Sequence, residues 1–426
     1  MLSHYDFTMK KNIPFVFASL IVLATACSES SDPATVQPGP YRAVLQTPGG
    51  ELPFGLDIQP TAGNPGMYTV FALNGSERLP LDSARVEGDS LRISTGLFES
   101  ELVAKIDGNT LRGQWRRHRT PNEIVTLPFE ATAGYDYRFA KEDKRAGANL
   151  TGTWAANFND TTGRVDTVNA VGIFKQTGNQ ISGTFLTPTG DYRYLAGNVV
   201  GDSLLLSCFD GTHVFLFKAK HDAKANTLTG GFWAGASYYE PWSARLDPNA
   251  KLPDPASLTY LKPGSKTLNI AFPEPNGNVV SLSAPRFNGK VTVVQILGTW
   301  CPNCMDETNF LSPWYTKNRS RGIEVLGLAF ERSAEMVVSG PKIERMKRRF
   351  NIDYPVLLAG SSDKAEASKA LPDLNAVVAF PTTIVIDKKG QVRNIHTGFS
   401  GPGTGKFYDQ YVSEFNRLID KLVAEK

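Results

Sequence analysis

Two of the four cysteines, Cys301 and Cys304, are separated by two residues and are the strongest candidates for chemistry in this chain. A pair with this spacing serves zinc binding, covalent haem attachment or thiol–disulfide exchange. A structural zinc site takes four ligands, but the sequence has no second pair, and its five histidines form no cluster. Haem attachment needs a histidine directly after the second cysteine, where this chain has Met305. Thiol–disulfide chemistry remains, with neither a metal nor another cofactor expected.

The cysteine pair lies between a predicted strand and a predicted helix. Residues 291–297 are a continuous apolar run, typical of a fully buried strand, and the following helix is predicted over 302–318. The unpaired N–H groups and partial positive charge of a helix N-terminus favour a thiolate over a thiol. Cys301 is therefore predicted to attack a substrate disulfide, and Cys304, one turn further on, to resolve the mixed disulfide.

Glu307 follows Cys304 by three residues and falls on the same helical face. A partly buried carboxylate at this position could accept the proton of Cys304 and adjust the reduction potential of the pair. In the alternative interpretation, Glu307 is an ordinary first-turn acid that complements the helix dipole.

Around the pair, predicted strands alternate with predicted helices. Further buried strands are predicted at 323–330 and 383–386, with 391–399 pairing to the latter, and further helices near 341–350, 363–371 and the C-terminus. This alternation indicates an α/β sheet covered on both faces.

The preceding region, 41–246, shows almost no helical periodicity, and short alternating runs between Gly, Asn and Asp turns predict an all-β structure. This region also repeats itself. The matching segments are 88–94 with 201–207, 109–115 with 226–233, and Tyr41 with Trp154. A repeat this long indicates two duplicated domains rather than a solenoid. Sequential hairpins close into barrels or curved antiparallel sheets, which are either filled by their own side chains or hold a small apolar ligand.

The N-terminus has the pattern of an export signal. Lys10 and Lys11 precede an apolar run, 13–26, that is too short for a spanning helix. Small residues end this run directly before Cys27, which resembles a bacterial lipobox, although the usual leucine three residues earlier is Ala24. Cys27 is therefore predicted to be lipidated, with an uncleaved anchor or an ordinary signal peptide as the alternative.

These patterns predict a multidomain protein with two tandem all-β domains followed by an α/β domain. The predicted boundaries are 1–27 for the signal peptide, 28–40 for a flexible tether, 41–145 and 146–247 for the β domains, 248–265 for a linker and 266–426 for the α/β domain. Cys208 lies in a predicted strand and is expected to be a buried, inert thiol. The net charge of +3 without an extended basic stripe gives no reason to expect nucleic acid as a partner.

Residues 298–307, Gly-Thr-Trp-Cys-Pro-Asn-Cys-Met-Asp-Glu, resemble the Trp-Cys-x-x-Cys-x-x-Glu signature of TlpA-like thioredoxin-fold proteins. The resemblance extends to the hairpin pattern at 276–290 and to Ala-Phe-Pro-Thr-Thr at 379–383, which looks like the family's cis-proline segment. It covers about 270–424 and does not include the β region. A thioredoxin fold is therefore expected for the C-terminal domain.

This resemblance also implies roles for individual residues. Pro381 would be cis and would place the Phe380 backbone beside the cysteines, where it pairs with an extended substrate and bars metal. Trp300 would flank the nucleophile as a contact surface, or be a half-buried packing residue. The implied catalytic residues are Cys301, Cys304, Glu307 and Pro381, and the implied substrate-binding residues are Trp300, Pro302, Asn303, Phe380 and Thr382. Pro302 and Asn303 depart from the order common in relatives, which puts the direction of electron transfer in doubt.

By resemblance, the chain is expected to be a reductase of disulfides in exported envelope proteins, recharged by a membrane electron donor. The lipid on Cys27 would anchor it in a bacterial cell envelope, facing the periplasm. An oxidase or isomerase would use the same residues at a different reduction potential. In a third hypothesis, the chain is a lipoprotein whose β domains bind a ligand or partner and carry the main role.

Overall fold

The computed structural model describes residues 35–120, 123–142, 144–160, 165 and 167–426. The predicted signal peptide, the lipidation site Cys27 and most of the predicted tether lie outside these residues. In the described part of the chain, no helix combines the length and apolar character needed to cross a membrane. The end of the predicted tether is not free, because Val36 is buried in the core of the first β domain and the first strand begins at Gly39.

Nine strands form the first β domain. They are β1 (Gly39–Thr47), β2 (Gly50–Pro60), β3 (Met67–Asn74), β4 (Glu77–Pro80), β5 (Ser83–Glu87), β6 (Ser90–Ser94), β7 (Ser100–Asp107), β8 (Thr110–Thr120) and β9 (Glu123–Ala133). Neighbouring strands pair antiparallel, β9 returns to β1, and β2 also pairs with β3. Eight strands therefore close into a barrel, and the short β4 pairs with β3 beside it.

The second β domain has the same topology, strand for strand. Its strands are β10 (Gly152–Phe158), β11 (Ala170–Thr177), β12 (Gln180–Thr187), β13 (Gly190–Asp191), β14 (Leu195–Val200), β15 (Ser203–Phe209), β16 (Val214–Asp222), β17 (Thr227–Ala234) and β18 (Tyr238–Leu246). Here β18 returns to β10, β11 also pairs with β12, and β13 lies beside β12. The prediction of two tandem all-β domains is confirmed, and both are closed barrels.

The repeated Gly-Asp segment makes the same tight turn in both barrels. Glu87 pairs with Ser90 in the first barrel, so Gly88 opens a two-residue turn with φ of +63°. Gly201 opens the equivalent turn of the second barrel with φ of +58°. Glycine adopts this left-handed conformation without the steric cost that a Cβ would impose. The repeated Gly-Asp segment therefore marks the same two-residue turn, with a glycine at positive φ, in both barrels.

One detail of the sequence repeat was wrong. Matching 109–115 with 226–233 set Trp115 opposite Trp233, but the buried residue equivalent to Trp115 is Phe232. Both residues follow by four positions a leucine that pairs with an alanine of the last strand. Trp233 lies on the outer face against Gly49 of the first barrel, because a shift of one residue along a strand reverses the face.

Aromatic side chains fill both barrels. Tyr41, Phe54 and Trp115 are almost fully buried in the first. In the second, the rings of Phe217 and Phe232 stack at 4.3 Å between centroids, next to Phe185. Rings of this size bury large apolar areas and fix the barrel interior by edge and face contacts. The interiors are therefore packed cores.

The C-terminal domain has the predicted α/β arrangement. Its strands are β19 (Ala271–Pro273), β20 (Val279–Ser281), β21 (Val291–Leu297), β22 (Ile323–Glu331), β23 (Val356–Ser361), β24 (Thr382–Ile386) and β25 (Val392–Thr397), and its helices are α1 (Pro302–Asn318), α2 (Met336–Phe350), α3 (Lys364–Ala370) and α4 (Lys406–Ala424). The five-stranded sheet has the order β23-β22-β21-β24-β25, in which β21, β22 and β23 are parallel and the other neighbours pair antiparallel.

Helices cover both faces of this sheet. Leu311 of α1, Ile343 of α2 and Phe415 of α4 pack on one face, and Ala367 of α3 packs on the other. The second helix begins at Met336 rather than near residue 341, since Pro341 lies inside the helix instead of at its start. The thioredoxin fold predicted for this domain is the fold observed.

The predicted linker, 248–265, is partly an integral piece of the C-terminal domain. Thr259 is fully buried, and Leu261 forms a β-bridge with Leu374. The backbone N–H of Tyr260 donates to the side-chain oxygen of Asn375 (2.8 Å). Both barrels and the C-terminal domain belong to one compact unit.

Candidate functional site

The cysteine pair lies where β21 ends and α1 begins. Cys301 is the N-cap of α1, and its sulfur accepts a hydrogen bond from the backbone N–H of Cys304 (3.3 Å). Both residues are free thiols. Cys301 is 6% exposed, whereas Cys304 is completely buried one turn into the helix. Cys301 is therefore the more exposed of the two sulfurs, and Cys304 lies behind it.

The 380–381 segment lies beside Cys301. The Phe380–Pro381 peptide bond is cis, as the resemblance implied. The thiol of Cys301 donates to the carbonyl oxygen of Phe380 (3.5 Å). This backbone carbonyl is thus close enough to the reactive sulfur to contact a chain bound there.

Glu307 is completely buried and receives hydrogen bonds from three side chains. Gln295 Nε2 donates to Oε2 (2.8 Å), while Thr383 Oγ1 and Tyr411 Oη donate to Oε1, the latter at 3.1 Å. Burial raises the pKa of Glu307 to about 7, and the three hydrogen bonds only partly oppose this rise. The interpretation of Glu307 as an ordinary first-turn acid was wrong, because such an acid lies in solvent.

Cys304 needs a nearby base to become a nucleophile. Burial raises its pKa well above that of a free thiol, and the hydrogen bond and charge of Cys301 raise it further. The same Gln295 amide that donates to Glu307 lies 3.5 Å from the carbonyl oxygen of Cys304. A carboxylate with a pKa near neutrality is suited to exchange a proton with this thiol.

Trp300 is half-buried and held by its indole N–H, which donates to the carbonyl oxygen of Phe330 (3.0 Å). Its ring meets the ring of Phe380 edge to face at 5.6 Å. The tryptophan therefore packs against Phe380 and Phe330, and its role as a substrate contact stays a prediction. The loop before it is fixed by Thr299, whose N–H and hydroxyl donate to the buried Glu331 (2.7 and 2.8 Å).

Three predicted substrate contacts lie inside the protein. Pro302 is buried, and Asn303 is 9% exposed with its amide donating to the carbonyl oxygen of Asp191 in the second barrel (3.1 Å). Thr382 is completely buried, and its hydroxyl donates to Ala379 O (2.9 Å). Direct substrate contact by these side chains stays a prediction.

Sequence reasoning missed the three residues that bind Glu307. Gln295 interrupts an otherwise apolar buried strand, and this lone amide was a usable signal. Thr383 was included only as the last residue of the cis-proline segment, 379–383, and Tyr411 lies in the predicted C-terminal helix. Among the described residues, no cluster of histidines, cysteines and acids is arranged to hold a metal ion.

A family model described as Redoxin matches residues 262–411. These residues form a Redoxin domain. The match contains the cysteine pair, Glu307 and Pro381, and it leaves out both barrels. Within the Redoxin domain the cysteine pair lies at the start of α1, and Tyr411 is the last matched residue.

Curated relatives resemble the same part of the chain. Thiol-disulfide oxidoreductase ResA of Geobacillus kaustophilus is 28% identical over 114 residues, which are 26% of this chain and 57% of that protein. ResA of Halalkalibacterium halodurans is 23% identical over 164 residues, 38% of this chain and 81% of that protein. The chain thus spans little more than half the length of the first of these relatives.

Among solved structures, a thioredoxin-family thiol:disulfide interchange protein from Chlorobium tepidum TLS is 21% identical, with a TM-score of 0.29. The alignment covers 38% of this chain and 97% of that one. The similarity to thiol-disulfide oxidoreductases lies in the Redoxin domain.

Proposed function

We propose that this protein is a thiol–disulfide oxidoreductase that reduces disulfides in exported proteins through Cys301 and Cys304. The observation that carries the proposal is the order of the three groups in α1. Cys301 is at the helix N-terminus with limited exposure, and Cys304 and Glu307 are completely buried behind it. An outer nucleophile, an inner thiol and a buried carboxyl are the parts that two-step disulfide exchange needs.

In the first step, the Cys301 thiolate attacks one sulfur of the substrate disulfide. A bond forms between Cys301 and that sulfur, and the other substrate sulfur leaves as a thiolate. The N–H of Cys304 and the N-terminus of α1 stabilise negative charge on Cys301 Sγ. The carbonyl oxygen of Phe380 lies beside this sulfur and is available to the backbone of a bound chain.

In the second step, Cys304 gives its proton to Glu307 and attacks Cys301 Sγ. The mixed disulfide breaks, the substrate leaves with two reduced sulfurs, and Cys301 and Cys304 are joined by a disulfide. Two electrons have passed from the pair to the substrate. A membrane dithiol donor would reduce the pair again, and no metal or other cofactor takes part.

The resemblance to the TlpA-like family and the similarity to ResA proteins support this reaction class. We further propose that disulfide-bearing proteins of the bacterial envelope are the substrates. Lipid on Cys27 would hold the enzyme at the membrane, facing the periplasm, and nucleic acid is not a proposed partner. The filled barrels disfavour the alternative in which a ligand inside a β domain carries the main role.

The reduction potential of the pair tests the direction of transfer. The mature chain would be equilibrated in dithiothreitol and glutathione buffers, and its free thiols would be labelled and counted. A two-electron couple near ~−270 mV supports a reductase, and a value near ~−150 mV favours an oxidase or isomerase. Cys208→Ser is the matched control and should leave the couple unchanged. A chain without a reversible couple would refute the enzyme hypothesis.

A further inference from the structure

A turn of the second barrel lies directly on the active helix. We call residues 187–194, which include β13, the barrel-2 arm. Its Asp191 carbonyl oxygen accepts the hydrogen bond from Asn303, one of the two residues between the cysteines. The Asp191 carboxylate accepts hydrogen bonds from the backbone N–H groups of Gly401 (2.7 Å) and Arg193 (2.6 Å). The arm therefore contacts both the Cys-x-x-Cys segment and the loop before α4.

Glycines on both sides of this contact allow the two backbones to approach. A Cβ on Gly190 would lie 2.5 Å from Asn303 Nδ2, and a Cβ on Gly398 would lie 2.8 Å from the carbonyl carbon of Thr189. A Cβ on Gly403 would lie 3.0 Å from the Arg193 carbonyl. Any larger residue at these positions would push the surfaces apart. The arm and the Redoxin domain are thus complementary in shape.

Arg193 joins the arm to three carboxylates from different parts of the molecule. It is 4% exposed and pairs with Glu77 of the first barrel (2.6 Å), Asp210 of the second barrel (3.2 Å) and Asp306 of α1. Buried charges are tolerated only when they are paired. Removing one partner leaves the remaining buried charges uncompensated, which destabilises the folded state strongly. This cluster favours a single arrangement of the barrels around α1.

The first barrel also packs against the Redoxin domain. Leu97, in the turn Gly96–Phe98, is buried in the same apolar cluster as Cys301 and Met305. This turn is held to α2, where Arg345 donates to the Gly96 carbonyl oxygen (3.3 Å). Ion pairs from α2 to the same barrel are Lys342 with Glu99 (2.7 Å) and Arg349 with Asp82 (3.0 Å).

We propose that the two barrels are fixed walls of the dithiol site and restrict it to disulfides carried by extended polypeptide segments. This inference rests on the proposed reductase function. A folded protein presents a surface disulfide together with the surface around it, whereas here the barrel-2 arm covers Asn303 beside the cysteines and Leu97 is buried in the same apolar cluster as Cys301. A single extended strand needs only the edge beside the Phe380 carbonyl and Trp300.

The test compares two substrates in single-turnover reduction by the full mature chain. One is a short unfolded peptide with an internal disulfide, and the other is a folded protein with a surface disulfide of similar potential. Reduction of the peptide should be at least a hundredfold faster. Equal rates would overturn the wall proposal but leave the reductase function intact, whereas no reduction of the peptide would contradict the function itself.

Two variants loosen the barrel-2 arm by independent means. Arg193→Met removes the buried cation, and Gly403→Leu wedges the arm away without changing any charge. Each should raise the rate for the folded protein at least tenfold relative to the rate for the peptide. Arg245→Met, at an exposed arginine of the same barrel, is the matched control and should keep wild-type selectivity. Arm variants that release the arm to limited proteolysis but keep the same selectivity would overturn the proposal.

Discussion

In the first barrel the β3–β4 hairpin meets α2 of the Redoxin domain, and in the second barrel the equivalent β12–β13 hairpin meets α1. The equivalence follows from strand pairing, since Asn74 pairs with Glu77 where Thr187 pairs with Gly190. At the first hairpin, Arg349 of α2 donates to the carbonyl oxygen of Pro80 (3.0 Å). At the second, the arm lies against the cysteine pair.

The two contacts differ in burial and therefore in energy. The side chains of Arg349 and Asp82 are 27% and 44% exposed, whereas that of Arg193 is 5% exposed. Exposed ion pairs contribute little, but a broken buried pair is costly. The two barrels share one topology, and a few residues on one hairpin bring the second barrel against the Cys-x-x-Cys segment.

The largest expected effect is the difference in the rate of disulfide reduction between a variant of the cysteine pair and a variant of Cys208 in the second barrel. Cys208 is completely buried in β15, and burial raises its pKa well above that of a free thiol. Cys301→Ser should abolish disulfide reduction, while Cys208→Ser should retain the full rate. The rate of reduction of a disulfide peptide measures both variants. Equal loss in the two would show that the second barrel does chemistry of its own.

The next effect compares the two docking hairpins directly. Arg193→Met should lower the free energy of unfolding by about 3–5 kcal/mol, the usual cost of breaking a buried ion pair. Arg349→Met should lower it by about 0–1 kcal/mol, as for exposed pairs. Denaturant titration of the full chain measures both. Similar losses would erase the distinction between the two contacts.

Glu307 gives a pH-dependent prediction. Its pKa in the folded chain, about 7, lies above the usual value of 4.5. Its contribution to stability is therefore fully present below pH 4.5 and is lost as the pH rises through about 7, an effect of about 3 kcal/mol. Glu307→Gln should remove this decline in pH-dependent unfolding, while the exposed Asp409→Asn should keep it.

The same substitution should act on the second step of the reaction. In the wild type, the rate at which Cys304 resolves a mixed disulfide should rise with pH through about 7, as Glu307 loses its proton. Glu307→Gln should slow this step about a hundredfold at pH 7 and lack the inflection. Stopped-flow measurement of the resolving step decides, and an unchanged profile would remove Glu307 from the mechanism.

The smallest expected effect is a loss of unfolding free energy at the repeated glycine turns, and it should be equal in the two barrels. Gly88→Ala and Gly201→Ala each place a Cβ at positive φ, with open space around it. Each should lower the free energy of unfolding by about 1 kcal/mol through backbone strain alone. Thermal unfolding of the two variants should therefore give matching shifts. A clear difference would show that the two turns are not equivalent in the strain that a Cβ produces.

Local sequence signals predicted much of this structure. The apolar run of β21, the Cys-x-x-Cys spacing and the repeated Gly-Asp turns each leave a pattern within a few residues. Gln295 left such a pattern as well, as a polar residue in a buried strand, and its partner Glu307 was found through helical spacing. These features are fixed by periodicity and turn chemistry.

The contacts between domains left no comparable signal. Asn303 and Asp191 are 112 residues apart, and Arg193 and Asp306 are 113 residues apart. Nothing in the turn at 187–194 distinguishes it from other hairpin turns of the barrels. The burial of Val36, in the predicted tether, and of Thr259, in the predicted linker, is likewise decided by tertiary packing. Such contacts become visible only when the whole chain is folded.

The measurement that tests the central claim most directly is the trapping of a mixed disulfide. Cys304→Ser removes the resolving thiol, so a disulfide peptide that is attacked should stay bound to the protein. Mass spectrometry after digestion should find the peptide on Cys301 alone, and a reductant should release it. A peptide bound to Cys208, or no stable adduct at all, would contradict the assignment of Cys301 as the nucleophile of a dithiol enzyme.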